Sequence, residues 1–243
     1  MKQKNNGSKG FSSGILKAVH LLAVIHFVFA LYYDSTYVHF PSTKGTPNEF
    51  GGKLKYLTIC NVYLQVVYFS ISLINDFIGT NEYHPKKAPT VRKVKDYLFS
   101  SMCFPISFNV GISFWGIYIV DRELVCPEIL DAIFPLWLNH MVHTNIMVFM
   151  ILELFMLFRN NTSHSKSLMG LLSFMCSYLV WIHIIKHYSD DWVYPILEVL
   201  PMSVRIAFFA GCIALAVAFY FLGDFLNKMV WAKETRLGQH KFK

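Results

Sequence analysis

The residues best suited to do chemistry lie in an uncharged stretch of twenty residues, Ile133 to Leu152. This stretch is long enough to cross a hydrocarbon core, yet it holds five polar side chains: Asn139, His140, His143, Thr144 and Asn145. Helical spacing predicts one shared face for Leu136, Asn139, His140, His143, Met147 and Met150. Polar groups inside a span are costly and normally face a bundle interior or a wet cavity, where they often mark chemistry. Hydrogen bonding between helices would use the same face, so a structural role stays open.

A second uncharged run, Tyr56 to Asn75, carries its own polar stripe: Thr58, Asn61, Gln65, Ser72 and Asp76. A threonine hydroxyl becomes a nucleophile when a neighbouring base takes its proton, and a neutral imidazole is the usual base. Thr58 and His143 are expected in the same half of the membrane. Spacing alone makes this pair a weak signal, because a threonine in the first helical turn is more often a cap or a back-bond.

Two histidine pairs leave another chemistry open, namely haem or metal ligation by His140 with His143 and by His183 with His187. Neither spacing is diagnostic. His20 and His26 fit packing roles, and the acidic residues that end three spans (Asp76, Glu153 and Asp224) fit contacts with basic loops at the membrane interface. Nucleotide-binding and nucleic-acid-binding motifs are absent from the sequence.

The composition indicates the elements that must position these residues. The 243 residues are 54% hydrophobic and only 15% charged, which is typical of a membrane bundle. The sequence predicts an all-α integral membrane bundle of six transmembrane helices over residues 15–231, with Pro105 kinking the third. A disordered basic arm is predicted over residues 1–14 and a basic cytosolic tail over 232–243.

The basic residues predict the orientation of the bundle. With six spans, both termini lie on one side, and that side carries all but six of the 22 Lys and Arg. The six exceptions are Lys44, Lys53, Lys55, Arg122, Lys186 and Arg205. Positive residues favour the cytosolic side, so both termini are expected in the cytosol. The membrane is expected to be that of the endoplasmic reticulum or the plasma membrane.

The run from Trp137 to Thr144 resembles the W-L-N-H-x-x-H-T signature of the androgen-induced/androgen-dependent TFPI-regulating family of membrane proteins. Other similarities follow in register from about residue 53 to 231. They are Lys55-Tyr56-Leu57-Thr58 with Asn61 and Gln65, Asp121-Arg122-Glu123 with Pro127, Leu130 and Asp131, Trp192-Val193-Tyr194-Pro195, and Leu222-Gly223 with Leu226 and Asn227. Five ordered similarities are far more specific than any one of them.

The resemblance implies a threonine hydrolase that cleaves fatty acid esters of hydroxy fatty acids, with Thr58 as nucleophile and His143 as base. Asn139 and His140 are expected to support the base or the oxyanion, and the resemblance implies no cofactor and no metal. The partners expected are a lipid ester substrate and membrane lipids, not nucleic acid. Four positions depart from the family pattern and bear on substrate range: Leu54, Cys126, Met141 (expected to narrow the pocket) and Val148 (expected to straighten the fourth helix). A non-catalytic lipid-binding or regulatory membrane protein is the alternative.

Overall fold

Six helices in the described part of the chain are long and apolar enough to cross a membrane, as predicted. The computed structural model describes residues 11–39, 50–83, 85–159, 163–233 and 236. The helices are α1 (Ser13–Tyr37), α2 (Leu57–Ile78), α3 (Thr90–Val120), α4 (Leu136–Met156), α5 (His164–Ser189) and α6 (Met202–Val230). Residues 1–10 of the predicted arm and most of the predicted tail lie outside the described residues.

Helix α3 begins seven residues before the predicted start at Tyr97, because the amphipathic segment Thr90–Leu98 continues into the apolar span. The predicted kink at Pro105 takes the form of a π-helical turn over Phe99–Cys103. A proline has no backbone N–H and its ring crowds the preceding turn, so the backbone widens just before it. The Ser101 hydroxyl donates to the Tyr97 carbonyl at 2.6 Å within this turn.

Helix α4 is interrupted at Thr144, whose backbone leaves regular helical geometry at φ −100° and ψ −53°. The expectation that Val148 straightens this helix stays a prediction. The Thr144 hydroxyl accepts a hydrogen bond from Trp115 Nε1 at 3.1 Å, which ties the interruption to α3. The interruption follows directly after His143, so the first half of α4 ends at the candidate base.

The helices pack with α3 and α4 at the centre of the bundle. Helix α1 packs along α2, and α3 packs along α6 and also contacts α2, α4 and α5. Aromatic side chains fill much of the core, with Phe27, Phe69 and Phe149 in mutual ring contact. The segment between α5 and α6, which includes the short helix Pro195–Val199, covers a separate apolar cluster at one end of the bundle.

A buried ionic cluster lies near the end of the bundle that carries the chain termini. We define it by its five members: His20, Tyr68, Asp76, Glu153 and Arg159. His20 lies 2.6 Å from Asp76 and 2.9 Å from Glu153, and Glu153 also contacts Arg159 at 2.9 Å and accepts from Tyr68 at 2.5 Å. The predicted packing role of His20 is therefore wrong. Glu153 contacts Arg159 of the loop that follows α4, as the predicted contact with a basic loop requires, and it also pairs with His20 inside the bundle. The two carboxylates that His20 contacts, Asp76 and Glu153, are 56 and 133 residues from it in sequence, so the local sequence pattern could not reveal these contacts.

Candidate active site

Thr58 lies in the first turn of α2, and the chain before it is shaped to start the helix there. Gly51 and Gly52 both have positive φ angles (79° and 49°) that favour glycine, and a 3₁₀ turn over Gly52–Lys55 follows. The N–H of Leu57 donates to the hydroxyls of Tyr178 and Tyr194, each at 2.9 Å. These two tyrosines satisfy one of the backbone donors that a helix start leaves unpaired, which fixes the position of Thr58.

The structure brings Thr58 and His143 together. The Thr58 hydroxyl oxygen lies 3.2 Å from His143 Nε2, although 85 residues separate them in sequence. His143 is buried, with 6% of its surface exposed. The distance satisfies the geometric requirement for a hydroxyl and its general base.

Asn139 fixes which nitrogen of His143 carries the proton. His143 Nδ1 lies 2.6 Å from Asn139 Oδ1 and 3.1 Å from the Asn139 backbone carbonyl. Both oxygens are acceptors, so in the neutral ring Nδ1 is the protonated nitrogen. Nε2 is then left with a free lone pair that faces the Thr58 hydroxyl. This geometry fits the supporting role expected for Asn139, because the Thr58 hydroxyl, the His143 imidazole and the Asn139 amide form a continuous chain of contacts.

Phe114, which the sequence analysis did not single out, holds the ring of His143 from α3. Their ring centroids are 3.5 Å apart with an angle of 13° between the planes. Gly111, one turn earlier on α3, makes this approach possible, because a Cβ there would lie 2.6 Å from the His143 carbonyl oxygen. The imidazole is therefore clamped between an aromatic ring and the Asn139 amide, and its freedom to rotate is small.

A largely apolar cavity opens beside Thr58. Its volume is about 120 Å³, and it extends between α3, α5 and α6. Apolar side chains that line it include Ile117, Met175, Ile182, Phe209 and Ile213. Such a lining suits the hydrocarbon chain of a lipid, and a few polar groups in an otherwise apolar pocket normally fix a ligand's orientation.

Asn109 on α3 is one of these polar groups, and sequence reasoning missed it. It lines the cavity together with Thr58, is only 2% exposed, and its Oδ1 has no hydrogen-bond partner among the described residues. A lone asparagine in an uncharged span was the signal available in the sequence, since intramembrane polar groups mark sites by default.

The structure does not bring His140 into this site. His140 is exposed, stacks on Trp115 at 5.2 Å between ring centroids and contacts the Thr144 hydroxyl at 3.1 Å. The predicted inward face is wrong for His140 and Leu136, because the buried face of α4 is displaced toward Leu138, Val142 and Ile146. Asn139 and His143 remain inside at the edge of that face.

Two departures from the family pattern also lie away from the cavity. Met141 is buried in the core and does not line the cavity, so the expectation that it narrows the pocket is wrong. Val148 is exposed on the outer surface of α4.

The two histidine pairs do not meet, although His183 and His187 together line a shallow pocket on the surface of α5. His140 and His143 point to different surroundings, and His183 and His187 are both exposed on α5. In the described part of the chain, no three of His, Cys, Asp and Glu are grouped as metal ligands would be.

Two lysines lie at the entrance to α2, close to Thr58 in sequence. Lys53 donates to Asp34 at 3.1 Å, and burial lowers the pKa of Lys53, which this carboxylate partly opposes. Burial, reinforced by the charge of Lys53, also lowers the pKa of Lys55. Half-buried ammonium groups at this end of the bundle favour an anionic or strongly polar ligand group nearby.

Comparison with known proteins shows the family to which the chain belongs. The family model of the FAR-17a/AIG1-like proteins matches residues 15–228, which includes α2 to α5, nearly all of α1 and α6, and every site residue described above. The chain belongs to the FAR-17a/AIG1-like family.

Two relatives illustrate the similarity of this FAR-17a/AIG1-like chain to others. The androgen-induced gene 1 protein of Homo sapiens is 30% identical over 200 residues, covering 80% of this chain and 84% of the relative. The androgen-dependent TFPI-regulating protein of Mus musculus is 32% identical over 213 residues, covering 86% and 92%.

A fungal relative and the solved structures complete the comparison. A UPF0641 membrane protein of Schizosaccharomyces pombe is 25% identical, covering 82% of each chain. No solved structure matches the chain. The family membership and the six apolar helices make this a multi-pass membrane protein.

Proposed function

We propose that this FAR-17a/AIG1-like protein is a membrane-embedded hydrolase of lipid esters, in particular fatty acid esters of hydroxy fatty acids. The observation that carries the proposal is the chain of contacts from the Thr58 hydroxyl through His143 to Asn139, placed at the wall of an apolar cavity. The resemblance of these positions to a threonine hydrolase family supports it, and it names the substrate class.

The chemistry follows from the protonation of His143. Nε2 takes the Thr58 hydroxyl proton as Oγ1 forms a bond to the ester carbonyl carbon, and the carbonyl π electrons move to its oxygen. When that intermediate collapses, the bond to the alkoxy oxygen breaks and Nε2 returns the proton to the departing alcohol. A water molecule then attacks the acyl-threonine by the same proton transfers, which releases the carboxylic acid and restores Thr58.

The apolar cavity supplies the binding energy and the orientation. Acyl carbons packed against the side chains of α5 and α6 leave water, which favours binding by about 0.8 kcal/mol per buried CH₂. His143 is buried against Phe114, so the proton transfer takes place away from bulk solvent.

The test is hydrolysis by the purified protein in detergent or lipid. The wild-type chain should release hydroxy fatty acid from such an ester, and Thr58→Ala should not. Ser72→Ala is the matched control, because it removes a buried hydroxyl from the same face of α2 away from the cavity. Equal activity of wild type and Thr58→Ala would overturn the proposal and favour a non-catalytic lipid-binding or regulatory protein.

We also propose that both termini face the cytosol, because most of the basic residues lie on their side of the bundle. In vesicles whose cytosolic side faces inward, tags at both termini should resist added protease. A glycosylation sequon placed beside Trp192 should be modified in cells. Opposite accessibility of the two tags would contradict the six-span arrangement.

A further inference from the structure

We infer that Asn109 binds the carbonyl oxygen of the substrate and stabilises the oxyanion formed when Thr58 attacks. This inference rests on the proposed function, and it assigns the group that such a reaction needs in addition to nucleophile and base.

The first observation is the state of the Asn109 amide. The residue is 2% exposed, it lines the cavity, and its Oδ1 has no hydrogen-bond partner among the described residues, so nothing fixes this end of the amide. Buried polar groups in proteins are nearly always paired, since an unpaired one costs about 1–3 kcal/mol. An amide whose oxygen is unpaired and that also lines a cavity is therefore suited to meet a polar group of the ligand that fills it.

The second observation is position. Asn109 and Thr58 line the same cavity from facing helices. Asn109 also precedes Phe114 on α3 by little more than one turn, and Phe114 is the ring that clamps His143. Helix α3 thus holds both the base and the amide relative to the nucleophile on α2.

The third observation is that the other polar residues expected near the reaction make contacts with other groups. The Asn139 amide oxygen is bonded to His143 Nδ1, and His140 is exposed and in contact with Thr144. Asn61 and Gln65, on the polar stripe of α2, are both bonded to Ser107. Asn61 Nδ2 and Gln65 Oε1 have no partner among the described residues, but neither residue lines the cavity, whereas Asn109 does.

The start of helix α2 also favours the negative charge that develops during attack. Its first intrahelical backbone bond runs from the Cys60 N–H to the Tyr56 carbonyl, so the N–H groups of Thr58 and Ile59 have no intrahelical acceptor. The positive end of the helix dipole therefore lies at the nucleophile, where negative charge develops during attack. Asn109 completes this environment with a side-chain N–H donor.

The charge balance of the step is simple. As the bond from Thr58 Oγ1 to the carbonyl carbon forms, the carbonyl oxygen becomes an alkoxide and accepts a hydrogen bond from Asn109 Nδ2. No proton moves between them. When the carbonyl re-forms and the alcohol leaves, the hydrogen bond weakens again, so the amide acts mainly in the transition state.

The experiment compares Asn109→Leu with wild type, since leucine has a similar volume and no donor. If Asn109 binds the oxyanion, kcat should fall by about 10²–10³-fold with KM little changed, and labelling of Thr58 by a fluorophosphonate should slow in parallel. The matched control is Asn227→Leu, which removes a buried amide with an unpaired Oδ1 outside the cavity. It should alter the melting temperature without altering kcat per folded molecule.

Asn109→Asp provides a second route if the leucine variant folds poorly. It keeps the shape of the side chain and replaces the N–H donor with an oxygen, so it should lose at least as much kcat. A folded Asn109 variant with wild-type kcat, in a protein whose activity still depends on Thr58, would overturn the inference alone. A wild-type protein whose hydrolysis is indifferent to Thr58→Ala would overturn the proposed function and this inference with it.

Discussion

Two polar clusters inside the bundle differ in how fully they are paired. In the ionic cluster, Glu153 is bonded to His20, Tyr68 and Arg159, and His20 uses both ring nitrogens. In the candidate active site, by contrast, Thr58 and Asn109 line a cavity and Asn109 Oδ1 has no partner among the described residues. A cluster whose charged groups pair with one another is committed to the fold even though Arg159 Nε has no partner among the described residues, whereas a cluster that leaves an amide oxygen unpaired beside a cavity is available to a ligand.

The largest expected effect is on the base. His143→Ala should lower kcat by about 10³–10⁴-fold, because His143 is the base that contacts the Thr58 hydroxyl among the described residues. His140→Ala should retain most of the activity, since His140 is exposed and does not reach the cavity. Steady-state hydrolysis by both purified variants checks this, and equal loss in both would mean that the histidines form one structural unit.

The next effect should appear in stability rather than in catalysis. Glu153→Gln removes the charge that pairs His20 and Arg159, and breaking a buried ion pair costs about 3–5 kcal/mol. The melting temperature should fall sharply while kcat per folded molecule stays the same. Glu198→Gln is the control, because the Glu198 side chain is exposed and surface pairs such as the one with Lys186 contribute about 1 kcal/mol at most. A loss of kcat without a loss of stability would show that the ionic cluster takes part in catalysis.

A smaller catalytic effect is expected at Asn139. Asn139→Ala removes the 2.6 Å contact to His143 Nδ1 but leaves the backbone carbonyl at 3.1 Å. The tautomer is then still favoured while the ring is held less firmly, so kcat should fall by about 10²-fold, less than for loss of the base. Kinetics of the variant with the same ester provide the measurement. Wild-type turnover would mean that Phe114 and the backbone alone orient the imidazole.

The smallest effect is expected at the start of α2. Burial raises the pKa of Tyr194 to about 12, against opposing hydrogen bonds from Tyr178 and Leu57, so its hydroxyl is neutral at physiological pH. Tyr194→Phe removes one of two acceptors for the Leu57 N–H, which should cost about 1 kcal/mol of stability. Thermal unfolding beside Tyr188→Phe, where the ring is exposed, measures the difference. Equal melting temperatures would show that Tyr178 alone caps the helix.

The fold could be predicted from the sequence because a bilayer imposes a length and an apolar composition on each helix. The polar stripe of α2 was also readable: Asn61, Gln65 and Ser72 are all buried. Helical spacing of polar residues gave the wrong buried face for α4, because the polar face and the buried face of this helix differ. Spacing cannot reveal that rotation, since it depends on which neighbours pack against Leu138, Val142 and Ile146.

The site could be predicted only in part. Thr58 and His143 came from their resemblance to a family motif, and spacing alone left them a weak pair. Asn109 and Phe114 lie on α3, outside any motif, and their relation to His143 arises from the close approach of helices at Gly111. His20 was misassigned for a similar reason: three helices must pack before its carboxylate partners become neighbours.

The most direct test of the central claim is to identify the atom that carries the acyl group. Purified wild-type protein would be treated with a fluorophosphonate or a slowly hydrolysed ester, digested, and the modified peptide sequenced by mass spectrometry. We predict a single adduct, on Thr58, that does not form in Thr58→Ala. The adduct should form more slowly in His143→Ala and at the wild-type rate in Ser72→Ala. Hydrolytic activity with the adduct on another cavity-lining hydroxyl or thiol would contradict this prediction; these groups belong to Ser113, Tyr178, Tyr194 and Cys212.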